Sequence, residues 1–310
     1  MKKIYIVLLV VLLFNFKNFD RTSATTEEEV KEMVSFLASD DLKGRNTGTL
    51  EITEAAKYIE DKFKSYGIKP YFEGYQDEFP IDSLKGFNVV GVLEGNDPKL
   101  KDEYVILGAH YDHIGYGKKV DQDSIANGAN DNASGSAAVL AMAKHFAKEK
   151  TNKRSIMFVL FSAEEMGLLG SGHLAKRLKE ENFNLYTMLN FEMIGVPFTG
   201  RDYDVFVTGY DLSNVAEKLN NYNGSKFVGF SEIAKKYGLF RASDNYPFYQ
   251  EFKLPCHTLS SCDLTNYNFY HKVGDEAQLM DYKYMASIIN KMMPVIETVC
   301  NTPSQEIKMN

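Results

Sequence analysis

The sequence predicts an α/β domain, a three-layer α/β/α sandwich with a mixed, mostly parallel central sheet. Three observations carry this. Apolar runs recur along the chain, YVILGA at 104–109, IMFVLF at 156–161 and LYTMLNF at 185–191. Strands buried on both faces read as such continuous runs, without the polar alternation of a half-exposed sheet. Segments with helical spacing of apolar residues separate the runs, as layers of helices over a sheet require. With 310 residues, 44% hydrophobic and 25% charged, the chain suits one large soluble core.

The elements follow in order. Lys2 and Lys3 precede an almost wholly apolar run at 4–14 that is too short to span a bilayer. It reads as a secretory signal, with small residues at Thr22-Ser23-Ala24 for cleavage after Ala24. Residues 1–24 are thus expected to be a signal peptide and 25–310 the folded domain, exported to the periplasm or medium. An uncleaved N-terminal anchor is the alternative. Val30, Met33, Val34 and Leu37 mark a helix at 27–38, capped by Thr25 or Thr26. A polar stretch at 39–48 leads to a second helix at 50–66, stopped by Gly67. Strands are expected at 87–93, 104–109, 156–161, 185–191 and 205–207. Helices are expected at 133–150, 170–181, 212–222 and 280–299, the last bent by Pro294.

The net charge of −7 comes with no basic stripe, which excludes a nucleic-acid partner. Export permits disulfides. Cys256 and Cys262, six positions apart, are expected to close a short loop and leave Cys300 free. Three unpaired thiols are the alternative.

Open α/β sheets place their sites outside the carboxyl ends of the strands, and the unusual polar groups of this chain fall there. His110 and Asp112 follow YVILGA. A strand-end histidine can ligate a metal while a nearby carboxylate holds its other ring nitrogen. Asp131 lies in NGANDNASG, before an apolar helix, where its two oxygens could bridge two cations. Gly128 and Gly135 would allow close backbone approach there. Glu164 and Glu165 follow IMFVLF; adjacent carboxylates at a buried strand end are costly without a compensating cation or proton. One can ligate while the other holds a water proton. Glu192 closes the run at 185–191, and His271 stands in FYHKVGD. Two histidines with several carboxylates suit zinc, and two close metals can activate one water.

In this pattern the chain resembles the co-catalytic zinc aminopeptidases of peptidase clan MH, which also include glutaminyl cyclases and relatives of glutamate carboxypeptidase. GAHYDHIG, NGANDNASG, FSAEEMGLLGS, NFEMIG and YHKVGDE match in order, and LASDDLKGRNTG resembles the start of the domain. The resemblance implies two Zn2+ per chain, one held by His110 and Glu192, the other by Glu165 and His271, with Asp131 bridging. It implies Glu164 as general base and Asp112 as the group orienting His110. Glu192 stands where the family usually has Asp, and Asn245 where it commonly has His. Asp244, Tyr246, Phe248 and Tyr270 would shape the substrate pocket, with CHTLSSC forming an adjacent wall. The activity implied is release of N-terminal residues from peptides with a free amine, by a monomer that is not held in a membrane. A glutaminyl cyclase, a carboxypeptidase or dipeptidase, and a non-enzymatic binding module are the alternatives. The chain has no Trp, whereas such cyclases rely on tryptophans around the substrate.

Overall fold

The computed structural model describes residues 24–310, so the expected signal segment lies, apart from Ala24, outside the described residues. Helix α1 (Glu27–Leu37) opens with a reciprocal cap: the Thr26 hydroxyl accepts the Glu29 amide, and the Glu29 carboxylate accepts the Thr26 amide. Thr49 caps α2 (Leu50–Tyr66), and Gly67 ends it in the left-handed conformation. Both helices bury one apolar stripe, as their spacing predicts.

The strands are β1 (Lys69–Pro70), β2 (Gln76–Ile81), β3 (Leu84–Leu93), β4 (Tyr104–His110), β5 (Tyr116–Val120), β6 (Asp123–Ile125), β7 (Ser155–Phe161), β8 (Leu185–Phe191), β9 (Val205–Val207), β10 (Val228–Gly229) and β11 (Cys256–Ser260). The main sheet runs β1-β3-β7-β4-β8-β11-β9-β10, with β2 paired to β3. Its centre, β7-β4-β8-β11, is parallel. Antiparallel pairing occurs at β3 against β7 and at β9 against β11. The strands β5 and β6 form a separate hairpin. Every residue of β7 and β8 is buried, which is why 156–161 reads as an unbroken apolar run, while β8 carries the buried polar residues Thr187 and Asn190.

The remaining helices are α3 (Gly135–Glu149), α4 (Leu169–Glu180), α5 (Val215–Asn223), α6 (Glu232–Tyr237), α7 (Asn245–Phe252) and α8 (Tyr282–Asn301). Helices α1, α2, α3, α5 and α8 build the larger core on one face. Helices α4 and α7 build a second core on the other, around Met157, Phe161, Leu174 and Phe248. The architecture is therefore α/β/α. Pro294 lies inside α8, which continues without a break to Asn301. No helix among the described residues is long and apolar enough to cross a membrane.

One expectation is corrected. Cys256 and Cys262 are not bridged, and Cys300 is likewise free; all three thiols are buried. The segment CHTLSSC is not a small loop but a strand with its exit. Strand β11 carries the chain roughly 13 Å by Ser260, at about 3.3 Å per residue, whereas a disulfide needs Cα atoms within about 7 Å. Cys256 also belongs to the core on one face of the sheet and Cys262 to the core on the other.

Candidate metal centre

Strand β4 lies between β7 and β8, and the two connections use opposite faces: α3 links β4 to β7 on one face and α4 links β7 to β8 on the other. A crevice opens at the carboxyl end of such a strand. His110 ends β4, Glu164 and Glu165 follow β7, and Glu192 follows β8. The Asp131 carboxylate comes in from the irregular turn before α3, and His271 from the segment between β11 and α8.

Two trios of donor atoms converge there: His110, Asp131 and Glu192, and His113, Asp131 and Glu165. Asp131 belongs to both. Its Oδ1 is 3.3 Å from His110 Nε2, while its Oδ2 is 3.3 Å from His271 Nε2 and 3.7 Å from His113 Nδ1. His271 Nε2 is also 3.0 Å from Glu165 Oε2. His110 Nε2, His113 Nε2 and Asp131 Oδ2 are buried without a hydrogen-bond partner among the described residues. Buried polar atoms are rarely left so. Imidazole and carboxylate donors suit a divalent zinc-like cation, so the residues present fit one in each trio.

Backbone and neighbouring side chains fix this geometry. A Cβ on Gly128 would stand 2.3 Å from the Asp131 carbonyl and 2.5 Å from His113 Cγ, and its φ is +60°. One on Gly135 would meet the Phe191 carbonyl at 2.2 Å. Both glycines are required by close approach. Ala163 and His271 sit at φ of 56° and 55°, a left-handed conformation that is costly for residues other than glycine and is held here by the surrounding structure.

Asp112 has a wider role than the sequence indicates. His110 Nδ1 is 3.1 Å from the Asp112 backbone carbonyl and 3.6 Å from its carboxylate. The carboxylate itself accepts the amides of Glu164 and Glu165 at 3.2 and 3.3 Å, and the Thr47 hydroxyl at 3.3 Å. It therefore ties the β4 exit to the β7 exit.

Four further residues escape a sequence reading. His113 Nδ1 lies 2.8 Å from Glu165 Oε1; its signal was a second histidine three positions after His110. Asp275 accepts the amides of Asn130 and Asp131 at 2.8 and 3.0 Å and the Tyr267 hydroxyl at 2.6 Å. Arg45 is fully buried and donates to the carbonyls of Tyr111, Asn127 and Gly128 at 2.7, 2.7 and 3.0 Å, and to that of Leu37. It clamps the loops on either side of Asp131 and His110. Ser243 donates to Glu192 and accepts from Asn190.

Electrostatics separate the two adjacent glutamates. Burial and Asp131 work to raise the Glu165 carboxyl, but His113 and His271 outweigh them and hold it below its usual value. Glu164 has no such imidazole bond. Burial, with Glu192, Asp244 and Glu165 nearby, pushes it well above the usual carboxylate range despite His110. Burial also raises Glu192, to about 8, and Asp244, to about 7. Burial works to lower the His110 imidazole, but Glu164, Asp112 and Asp131 hold it well above its usual value. His271, similarly opposed by burial, is raised to about 10 by Asp131 and Glu165.

The four expected pocket residues part company. Tyr270 stacks on His271, ring centres 3.9 Å apart, and lines a cavity of about 50 Å3 beside Glu192, where Phe206, Leu239 and Leu264 face the hydroxyls of Thr208, Ser243, Thr258 and Ser260. Asp244 is buried, and neither of its carboxylate oxygens has a hydrogen-bond partner among the described residues. Tyr246 packs edge-on against Phe240 and faces a separate surface groove. Phe248 is core: α7 turns it into the sheet, against Phe161 and Phe252.

Comparison with known proteins agrees with this architecture. A probable zinc metalloprotease of Leptosphaeria maculans is 27% identical over 233 residues, 69% of this chain and 53% of that protein. Aminopeptidase YwaD of Bacillus subtilis is 28% identical over 164 residues, 53% of this chain and 33% of that one. The chain thus spans about half the length of the first relative and a third of the second. The solved aminopeptidase of an Aneurinibacillus strain superposes with a TM-score of 0.69 at 16% identity, covering 93% of this chain and 97% of that one, and shares the fold. The profile of peptidase family M28 matches residues 88–296, from β3 into α8 and across every donor just described, and the chain belongs to that family.

Proposed function

We propose that the chain is a zinc-dependent aminopeptidase holding two metal ions. The observation that carries this is the Asp131 carboxylate, shared by two donor trios, with Oδ1 toward His110 of one and Oδ2 toward His113 of the other. His110 and Glu192 would complete one ion's set; Glu165 would hold the other together with His271, which lies 3.0 Å from its Oε2, and His113 is the remaining donor of that trio. Zinc bound there would polarise the scissile carbonyl and make water acidic enough to attack near neutral pH.

The chain's own groups supply the rest. Glu164 lies in neither trio and has a buried carboxylate free of imidazole bonds. It takes a proton from the attacking water and returns it to the departing amine. Asp112 holds both glutamate amides, so base and ligand keep a fixed relation. The cavity beside Glu192, part apolar and part lined by hydroxyls, suits the side chain of a first residue, and the carboxylates Glu164, Glu192 and Asp244 suit a cationic α-amine. Tyr270 would form one wall of that subsite, with Asp244 behind it; Tyr246 and Phe248 face elsewhere and are not proposed in it. We further propose one domain over 25–310, acting as an exported monomer on peptides with a free N-terminus, without a bridge between Cys256 and Cys262.

The test is a substrate panel with the zinc-loaded protein: a dipeptide amide with a free amine, its N-acetyl form and a glutaminyl peptide. Cleavage confined to the free amine is expected. Ammonia release from the glutaminyl peptide without hydrolysis would assign a cyclase instead.

A further inference from the structure

A groove of about 670 Å3 runs between the first turns of α4 and α7, floored by Phe79 and Pro80 of β2. It begins at the turn that carries the two glutamates: the amides of Gly167 and Leu168 each donate to the Glu164 carbonyl at 2.9 Å, and both residues line it. The segment 239–246 separates it from the cavity beside Glu192. Leu239, Ala242 and Ser243 face the cavity, while Arg241 and Tyr246 face the groove. The backbone turn of Glu164 thus adjoins the groove, and the segment 239–246 stands between the groove and the cavity that Glu192 lines.

The groove is cationic in a chain of net charge −7. Arg241 and Lys176 line it and are exposed, and their side chains make no hydrogen bond or ion pair among the described residues. The neighbouring Arg177 is different, held by Asp77 at 2.7 Å and Glu181 at 3.1 Å. Glu251 is the one acidic residue of the lining; His173 lies 3.4 Å from Asp77 and stacks on Phe79.

We propose that this groove receives the peptide on the leaving-amine side of the scissile bond, and that Arg241 and Lys176 select a carboxylate there. That carboxylate is the C-terminus of a short peptide or an acidic side chain. With the first side chain in the cavity, the second and later residues have the groove as their path, and unengaged cations attract an anion. The inference rests on the peptidase reading above.

The experiment compares KM for three substrates of the zinc-loaded enzyme: a dipeptide with a free C-terminus, its C-terminal amide, and an amide with Glu in second place. The two carboxylate-bearing substrates should show KM about three- to tenfold below the plain amide, the range two partly exposed ion pairs supply. The gap should narrow with salt. In the double variant Arg241→Gln, Lys176→Gln the ratio should fall toward one, whereas Lys99→Gln, a charge removed elsewhere, should leave it unchanged. Preference for the free C-terminus alone identifies short peptides; preference for Glu alone identifies the side chain. Equal KM for all three substrates, or a ratio that survives the double variant, overturns the inference. Absence of turnover on any free-amine substrate overturns the peptidase reading and this inference with it.

Discussion

His113 and His271 address the same carboxylate from two sides, yet they stand differently in the structure. His113 is enclosed and 2.8 Å from Glu165 Oε1, whereas His271 is 37% exposed and 3.0 Å from Oε2. A buried imidazole so placed fixes the orientation of the carboxylate that would bind the metal. His113→Ala should therefore weaken the second zinc about 10- to 100-fold, the cost typical of losing such a support. His271→Ala should abolish binding at that site. Competition with a chelator of known affinity measures both, and equal effects would make His113 a ligand of the same rank. At this scale the sequence was most informative where a residue stands at a strand end, as His110, Glu164, Glu165 and Glu192 do. It was silent where residues distant in sequence meet. Arg45 reaches carbonyls 66 to 83 positions away, and nothing in the residues around it marks it as buried.

Among the elements, β4 and β7 were legible because burial on both faces leaves an apolar run, and β8 was weaker because Thr187 and Asn190 interrupt it. Strand β2 was not: its buried positions are Asp77, Phe79 and Ile81, and Pro80 interrupts a sequence that only the sheet edge tolerates. Helix α7 was hidden because Pro247 lies in its first turn, where proline is tolerated. The segment 256–262 was misread because cysteine spacing says nothing about extension. Cys256 opens strand β11 and Cys262 lies beyond its end, in the core on the other side of the sheet, and burial pushes Cys262 up to about 12. The native protein should accordingly react slowly with a thiol reagent, and denatured, unreduced protein should titrate three thiols. A count of one after denaturation would restore the bridge.

Across the whole molecule, the converging carboxylates and imidazoles make stability depend on metal and pH together. Without metal, Glu192 is raised to about 8 and His271 to about 10, so the folded state holds protons that the unfolded chain has released. Stability of the metal-free protein should therefore fall as pH rises from about 5 toward 8 and beyond. Asp131, held well below its usual value, acts oppositely only in acid, losing its contribution as pH drops below the ordinary carboxylate range toward its own depressed value. Zinc competes with those protons. The gap in Tm between zinc-loaded and chelated protein should widen from pH 5 to pH 8, by scanning calorimetry; a constant gap would mean the site does not hold the metal. The central claim is hydrolysis by Glu164 beside a two-metal site bridged by Asp131. It is tested most directly by counting zinc and measuring turnover of a free-amine dipeptide amide in the parent protein and Glu164→Gln side by side. Two zinc ions per chain in both, with turnover reduced at least about 100-fold in the variant, is the predicted result. A variant that keeps its zinc and hydrolyses at the parental rate would contradict it.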